Sequence, residues 1–172
     1  RNGLSLNDRN WLDNSLQKLS HRGPDSSGIW CSADQRVKLG HTRLSIIDLQ
    51  SRSTQPLTYK NSLVISFNGE IYNFKELRDI LVSKGHSFRT SSDTEVILAS
   101  YMEWGDALLD KLVGMYSFAI YDSKDASIFI ARDRMGEKPF FYSYFNNRLY
   151  FSSELRSLLT CDYSLPNISI ES

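Results

Sequence analysis

At 172 residues the chain is within the size of one domain able to bury a continuous core, and a second domain is not expected. Twenty Lys plus Arg balance twenty Asp plus Glu, which excludes both the basic field that grips a nucleic-acid backbone and an acidic tail. The longest nearly apolar run, 112–121, is about half of the roughly 20 residues a bilayer span needs. No charged-then-apolar leader opens the sequence, so a soluble, cytoplasmic protein is expected, with no membrane partner. Cys31 and Cys161 form neither a C-x-x-C pair nor a disulfide framework, and they read as two reduced, buried thiols.

Taken in order, Asn7 or Asp8 is the expected N-cap of a helix to about Ser20, with Trp11, Leu12, Leu16 and Leu19 at helical spacing. His21-Arg22-Gly23-Pro24-Asp25 ends it, since Gly23 and Pro24 both oppose continuation. Strands are expected over 28–31, 37–41 and 63–67. The last of these runs into Asn68-Gly69. Alone, such a pair is usually a turn. It can also form an oxyanion hole, the Asn amide donating one hydrogen bond and the Gly N–H a second to the same oxygen.

A second helix is expected over 74–84, with Leu77, Ile80 and Leu81 inward and Gly85 just past its end. A third starts at Asp93 or Thr94 and reaches Trp104, and a short one spans 106–112. Strands follow over 115–122, 127–132, 139–144 and 148–152, with turns at Asp122-Ser123-Lys124-Asp125 and Asn146-Asn147. Connections this short imply antiparallel pairing. Helices segregated from strands make the class α+β. His21 and His41 lack metal-ligand spacing and read as structural. Residues 132–139 read as a turn whose charges fix its shape, and no metal site is expected.

Five motifs stand in order: His21-Arg22-Gly23-Pro24-Asp25, His41-Thr42-Arg43-Leu44-Ser45-Ile46-Ile47-Asp48, Phe67-Asn68-Gly69-Glu70-Ile71-Tyr72-Asn73, Ser91-Ser92-Asp93-Thr94-Glu95 and Arg132-Asp133-Arg134-Met135-Gly136-Glu137-Lys138-Pro139. Together they resemble the glutaminase domain of asparagine synthetase, a class II glutamine amidotransferase of the N-terminal-nucleophile hydrolase kind. The resemblance implies a four-layer αββα sandwich of two antiparallel sheets between helical layers. It also implies L-glutamine as substrate. Arg43 would hold the α-carboxylate through paired N–H donors, and Asp93 the α-ammonium. Leu44, Ser45, Ile46 and Ile47 would line the substrate slot, with Glu70 following the hole that Asn68 and Gly69 form.

The family's nucleophile is a cysteine at the mature N-terminus, whose α-amino group serves as base. This sequence opens with Arg1-Asn2-Gly3 and carries no Cys-Gly-Ile segment, and Cys31 follows the Arg-Gly-Pro-Asp motif. Residues 1–160 therefore read as an amidotransferase domain lacking its first strand, and 161–172 as a tail or linker towards a synthetase domain. As written, the chain is expected to be inactive. Two readings stay open: the nucleophile segment lies outside the sequence in hand, or the domain is a non-catalytic glutamine-binding or interaction module derived from that family. The first is favoured because every substrate-holding position matches. ATP and magnesium are implied only for an ATP-pyrophosphatase synthetase domain, in cis or in trans. A homodimer is compatible with the sequence.

Overall fold

The computed structural model describes residues 6–44 and 54–160. In chain order it contains α1 (Leu6–Leu19), β1 (Ser26–Cys31), β2 (Lys38–Arg43), β3 (Leu57–Tyr59), β4 (Leu63–Ile71), α2 (Phe74–Ser83) and α3 (Asp93–Trp104). After these come β5 (Gly114–Asp122), β6 (Ser127–Arg132), β7 (Phe141–Phe145), β8 (Arg148–Ser152) and α4 (Leu155–Leu158). Strands β3-β4-β5-β6 form one antiparallel sheet, while β1-β2 and β7-β8 are two-stranded hairpins. Among the described residues no helix is long and apolar enough to cross a membrane.

Side chains alternate across a strand, so the central pair β4 and β5 feeds two cores. Ile65, Phe67, Phe118 and Ile120 point one way, into a cluster with Leu77 and Leu81 of α2 and Val96 and Ile97 of α3. Val64, Ala119 and Tyr121 point the other way, onto Leu39 of β2, with Trp30 and Phe151 from the two hairpins packed alongside. Behind the hairpins lies α1. A Cβ on Gly40 would sit 2.9 Å from a Leu12 methyl and 3.1 Å from a Leu16 methyl, so the missing side chain is what lets the helix seat on β2. Trp11 meets Tyr150 of β8 edge to face at 5.0 Å, and Ser15 hydrogen-bonds Ser157 of α4. The layers therefore run α1 and α4, the hairpins, the four-stranded sheet, then α2 and α3, an αββα order.

Several expectations need correcting. β4 does not stop at Phe67. Its ladder with β5 continues through Asn68↔Ser117 and Gly69↔Tyr116 to Ile71↔Gly114, so the Asn-Gly pair lies inside a strand and is no turn. Asn7 and Asp8 fall within α1, which already includes Leu6. α3 does start at Asp93, and Ser92 caps it, its side chain accepting from the Glu95 N–H. Ile80 is 46% exposed, because a ten-residue α2 buries only the Leu77 and Leu81 stripe. The segment expected as a helix over 106–112 is a 3-10 turn, Gly105–Asp110. β3 and α4 were not foreseen, both being too short for periodicity to register. The antiparallel pairing expected across short connections holds for β5-β6 and β7-β8 but not between β6 and β7, which belong to different sheets. Cys31 is an exposed free thiol, on the outward face of an edge hairpin. Cys161 and the tail at 161–172 lie outside the described residues.

Candidate active site

The open edge of β4 shapes the site. β3 pairs only with Leu63 to Ile65, so past Ile65 that edge of β4 has no strand beside it among the described residues. Two side chains take over at Phe67. Its N–H donates to Gln55 Oε1 at 2.7 Å, and its carbonyl accepts from His41 Nε2–H at 3.0 Å. A residue's N–H and C=O point to one edge and alternate along a strand, so Gly69, two residues on, presents its N–H to this same open edge. The β5 side agrees. Tyr116, opposite Gly69, spends both backbone groups on Asp133: its N–H donates to Oδ2 at 3.3 Å and its carbonyl accepts the Asp133 N–H at 2.8 Å. Position 69 has to be glycine, because a Cβ there would lie 2.2 Å from the Met115 carbonyl oxygen and 2.7 Å from Tyr116 Cα.

Asn68 points to the opposite face from Phe67, towards the hairpin layer. Its Nδ2 is buried and has no hydrogen-bond partner among the described residues. Leaving such a donor unpaired costs about 1–3 kcal/mol, which a bound acceptor would recover. Ser66 Oγ–H donates to the Gly40 carbonyl at 3.0 Å and fixes how closely β2 approaches β4.

Arg43 ends β2 and is 9% exposed. The His21-Arg22-Gly23-Pro24-Asp25 motif presses on it from outside. The Asp25 N–H donates to the Arg43 carbonyl at 3.1 Å, and a Cβ on Gly23 would lie 2.3 Å from the Thr42 carbonyl carbon. Here the motif's glycine serves close backbone approach, a role the sequence reading did not assign.

Asp93, 6% exposed, opens α3, and its Oδ2 accepts the Ile71 N–H at 3.0 Å, tying the helix start to the end of β4. Burial pushes its carboxyl up from the usual range; the Ile71 and Thr94 N–H groups pull it partly back, and the nearby Glu70 charge raises it again. A cation beside it is therefore favoured. The preceding loop is locked by groups that sequence reasoning missed. Glu95 accepts the Arg89 and Thr90 N–H groups, and Arg78 donates to the Thr90 and Ser92 carbonyls.

These pieces share one cavity of about 510 Å³, whose wall includes Arg43, Leu44, Asn68, Gly69, Glu70 and Asp93. Leu44 and Glu70 stand at its exposed margin. Ser45, Ile46 and Ile47, expected to line the slot, lie outside the described residues. Cys31 is not part of the wall. His41 is, and from β2 its Nε2–H reaches the Phe67 carbonyl. The 132–139 turn is shaped by its charges as expected. Asp133 accepts the Glu137 and Lys138 N–H groups, and Arg132 donates to the Gly136 and Lys138 carbonyls. Burial opposes ionisation of Asp133, but these N–H donors outweigh it and hold the carboxyl below its usual range.

Comparison with known proteins bears on the same residues. Residues 3–171 match the glutamine amidotransferase domain family. The chain is 40% identical over 156 residues to asparagine synthetase [glutamine-hydrolyzing] 3 of Bacillus subtilis (strain 168), covering 90% of this chain and 25% of that protein. To asparagine synthetase [glutamine-hydrolyzing] 1 of the same organism it is 46% identical over 144 residues, covering 83% and 22%. It thus spans about a quarter of the length of these relatives. Among solved structures, the glutamine phosphoribosylpyrophosphate amidotransferase from B. subtilis, complexed with ADP and GMP, superposes with a TM-score of 0.75 at 21% identity. That match covers 93% of this chain and 42% of the other, and it establishes the shared fold. The chain belongs to the glutamine amidotransferase domain family, and it resembles the asparagine synthetase branch.

Proposed function

We propose that this domain binds L-glutamine and serves as the ammonia-releasing half of an ATP-dependent, asparagine synthetase-type amide synthesis. One observation carries the reading: a guanidinium, a carboxylate and a pair of amide donors meet on the wall of a single cavity. Arg43 takes the α-carboxylate of glutamine through its planar N–H pair, and Asp93 takes the α-ammonium. The side-chain amide then lies at β4. Attack on its carbon by a nucleophile converts the carbonyl to a tetrahedral oxyanion, which Asn68 Nδ2–H and Gly69 N–H stabilise; collapse expels ammonia. Cys31, exposed and off the wall, does not supply that nucleophile. A cysteine at the start of a strand ahead of these residues would, its α-amine taking the thiol proton and passing it to the departing nitrogen, after which water hydrolyses the glutamyl thioester to glutamate.

An ATP-pyrophosphatase synthetase domain, in cis or in trans, would supply the ATP and magnesium chemistry in a cytoplasmic setting; in support, the relatives are named asparagine synthetases and this chain covers only about a quarter of their length. The test is glutamate release by the chain as given and by the chain extended with a strand that begins with cysteine. Turnover only in the extended form is expected. Robust turnover by the unextended chain contradicts the nucleophile assignment, and silence in both favours a non-catalytic glutamine-binding module.

A further inference from the structure

We infer that His41 and Gln55 are positioning residues for the Gly69 donor, acting as a two-sided clamp on the open edge of β4 at the rung before the hole. The inference rests on the glutaminase reading for the use of that donor, while the clamp itself is a matter of geometry. A sheet normally steadies such an edge by adding a strand. A strand continued from β3 past Ile65 would hold Phe67, but it would also cover Gly69 and consume the N–H that the oxyanion needs. β3 instead stops, and side chains from two separate segments take the Phe67 N–H and C=O one each, at 2.7 and 3.0 Å. The edge is thus fixed at residue 67 and, among the described residues, left uncovered at residue 69. Glycine has no side chain with which to hold its own peptide plane, so the neighbouring rung must do it.

The chemistry of each clamp residue suits the job. A carbonyl only accepts, so His41 carries its proton on Nε2, and its buried Nδ1 has no partner among the described residues. Burial keeps the ring neutral by lowering its pKa to about 4, with the Phe67 carbonyl opposing and Arg43 assisting, so the tautomer is stable at neutral pH. Gln55 presents its oxygen to the N–H. Both residues stand on the wall of the same cavity as Asn68 and Gly69.

The experiment compares His41→Ala, His41→Gln and Gln55→Leu by two readouts. In the chain itself, free of ligand, amide exchange of Phe67 and the ¹H–¹⁵N signal of Gly69 are followed. Gln55→Leu, which removes the acceptor of the Phe67 N–H, is expected to raise Phe67 exchange about fivefold, as for one lost hydrogen bond, and His41→Ala, which frees the Phe67 carbonyl, to shift Gly69, with β5 signals beyond Phe118 unchanged. His41→Gln, which restores an N–H donor, is expected to return the Gly69 signal towards its native value. In the cysteine-extended chain, His41→Ala should lower kcat about tenfold with KM within about twofold, and His41→Gln should recover it. An unmoved Gly69 signal, a uniform change across the whole sheet, or a rise in KM with kcat intact overturns the inference. If the extended native chain is silent, the glutaminase reading fails, and the amide readout still decides the clamp.

Discussion

Replacing His41 by glutamine keeps a donor for the Phe67 carbonyl but removes the titrating ring, which isolates the contribution of that ring to stability as pH changes. In the folded chain the imidazole pKa falls from 6.5 to about 4, chiefly through burial. The unfolded chain therefore binds the extra proton first as pH drops through 6.5, and folded stability declines until pH reaches about 4, below which the loss is complete. At about 1.4 kcal/mol per pH unit, this share approaches ~3 kcal/mol, and ~2–3 kcal/mol of it develops between about pH 7.5 and pH 4.5. Denaturant unfolding of the native chain and of His41→Gln across that range gives the difference directly, since carboxylates common to both cancel. The native chain is expected to lose ~2–3 kcal/mol more than the variant on acidification. Parallel stability curves would refute the buried, neutral ring and the geometry built on it.

Other perturbations test the remaining parts of the site. Asp93 has a raised carboxyl pKa, so its ionisation costs folded stability as pH rises above the unfolded value of 3.8. Asp93→Asn should therefore raise the Tm near neutral pH while weakening L-glutamine binding at least about tenfold, as for a lost charged hydrogen bond; a lower Tm with intact binding would contradict both roles. Gly69→Ala forces a Cβ against the Met115 carbonyl, and thermal unfolding should show a loss of about 1–3 kcal/mol; unchanged stability would contradict the close packing of β4 on β5 there. In the cysteine-extended chain, Asn68→Ala should reduce kcat about 10²- to 10³-fold with little change in KM. A large KM effect with kcat intact would make Asn68 a ground-state contact.

What sequence alone revealed follows the range of each signal. Long segments such as α3 and β5 were legible because each is a sustained stretch, of twelve and nine residues, bounded by turn signals, although both are buried almost continuously and not on one face alone. The five-motif order gave Arg43, Asn68, Gly69 and Asp93, which the fold does bring to one cavity wall. Local reasoning failed where a distant partner decides. Asn68-Gly69 carries every mark of a turn, yet nine residues of pairing with β5 keep it in a strand. The Asp93 carboxylate accepts the Ile71 N–H, 22 residues back in the chain, a tie between α3 and β4 that local pattern does not show. The grip of Gln55 and His41 on Phe67 spans 12 and 26 residues and leaves no trace in local pattern.

The most direct measurement is a titration of the chain with L-glutamine, followed by calorimetry and by backbone amide signals. The account predicts one molecule bound per chain, signal changes concentrated at Gly69, Ile71 and Asp93, and binding abolished by Arg43→Ala. Absence of binding at millimolar glutamine, or changes confined to residues remote from the cavity, would contradict it.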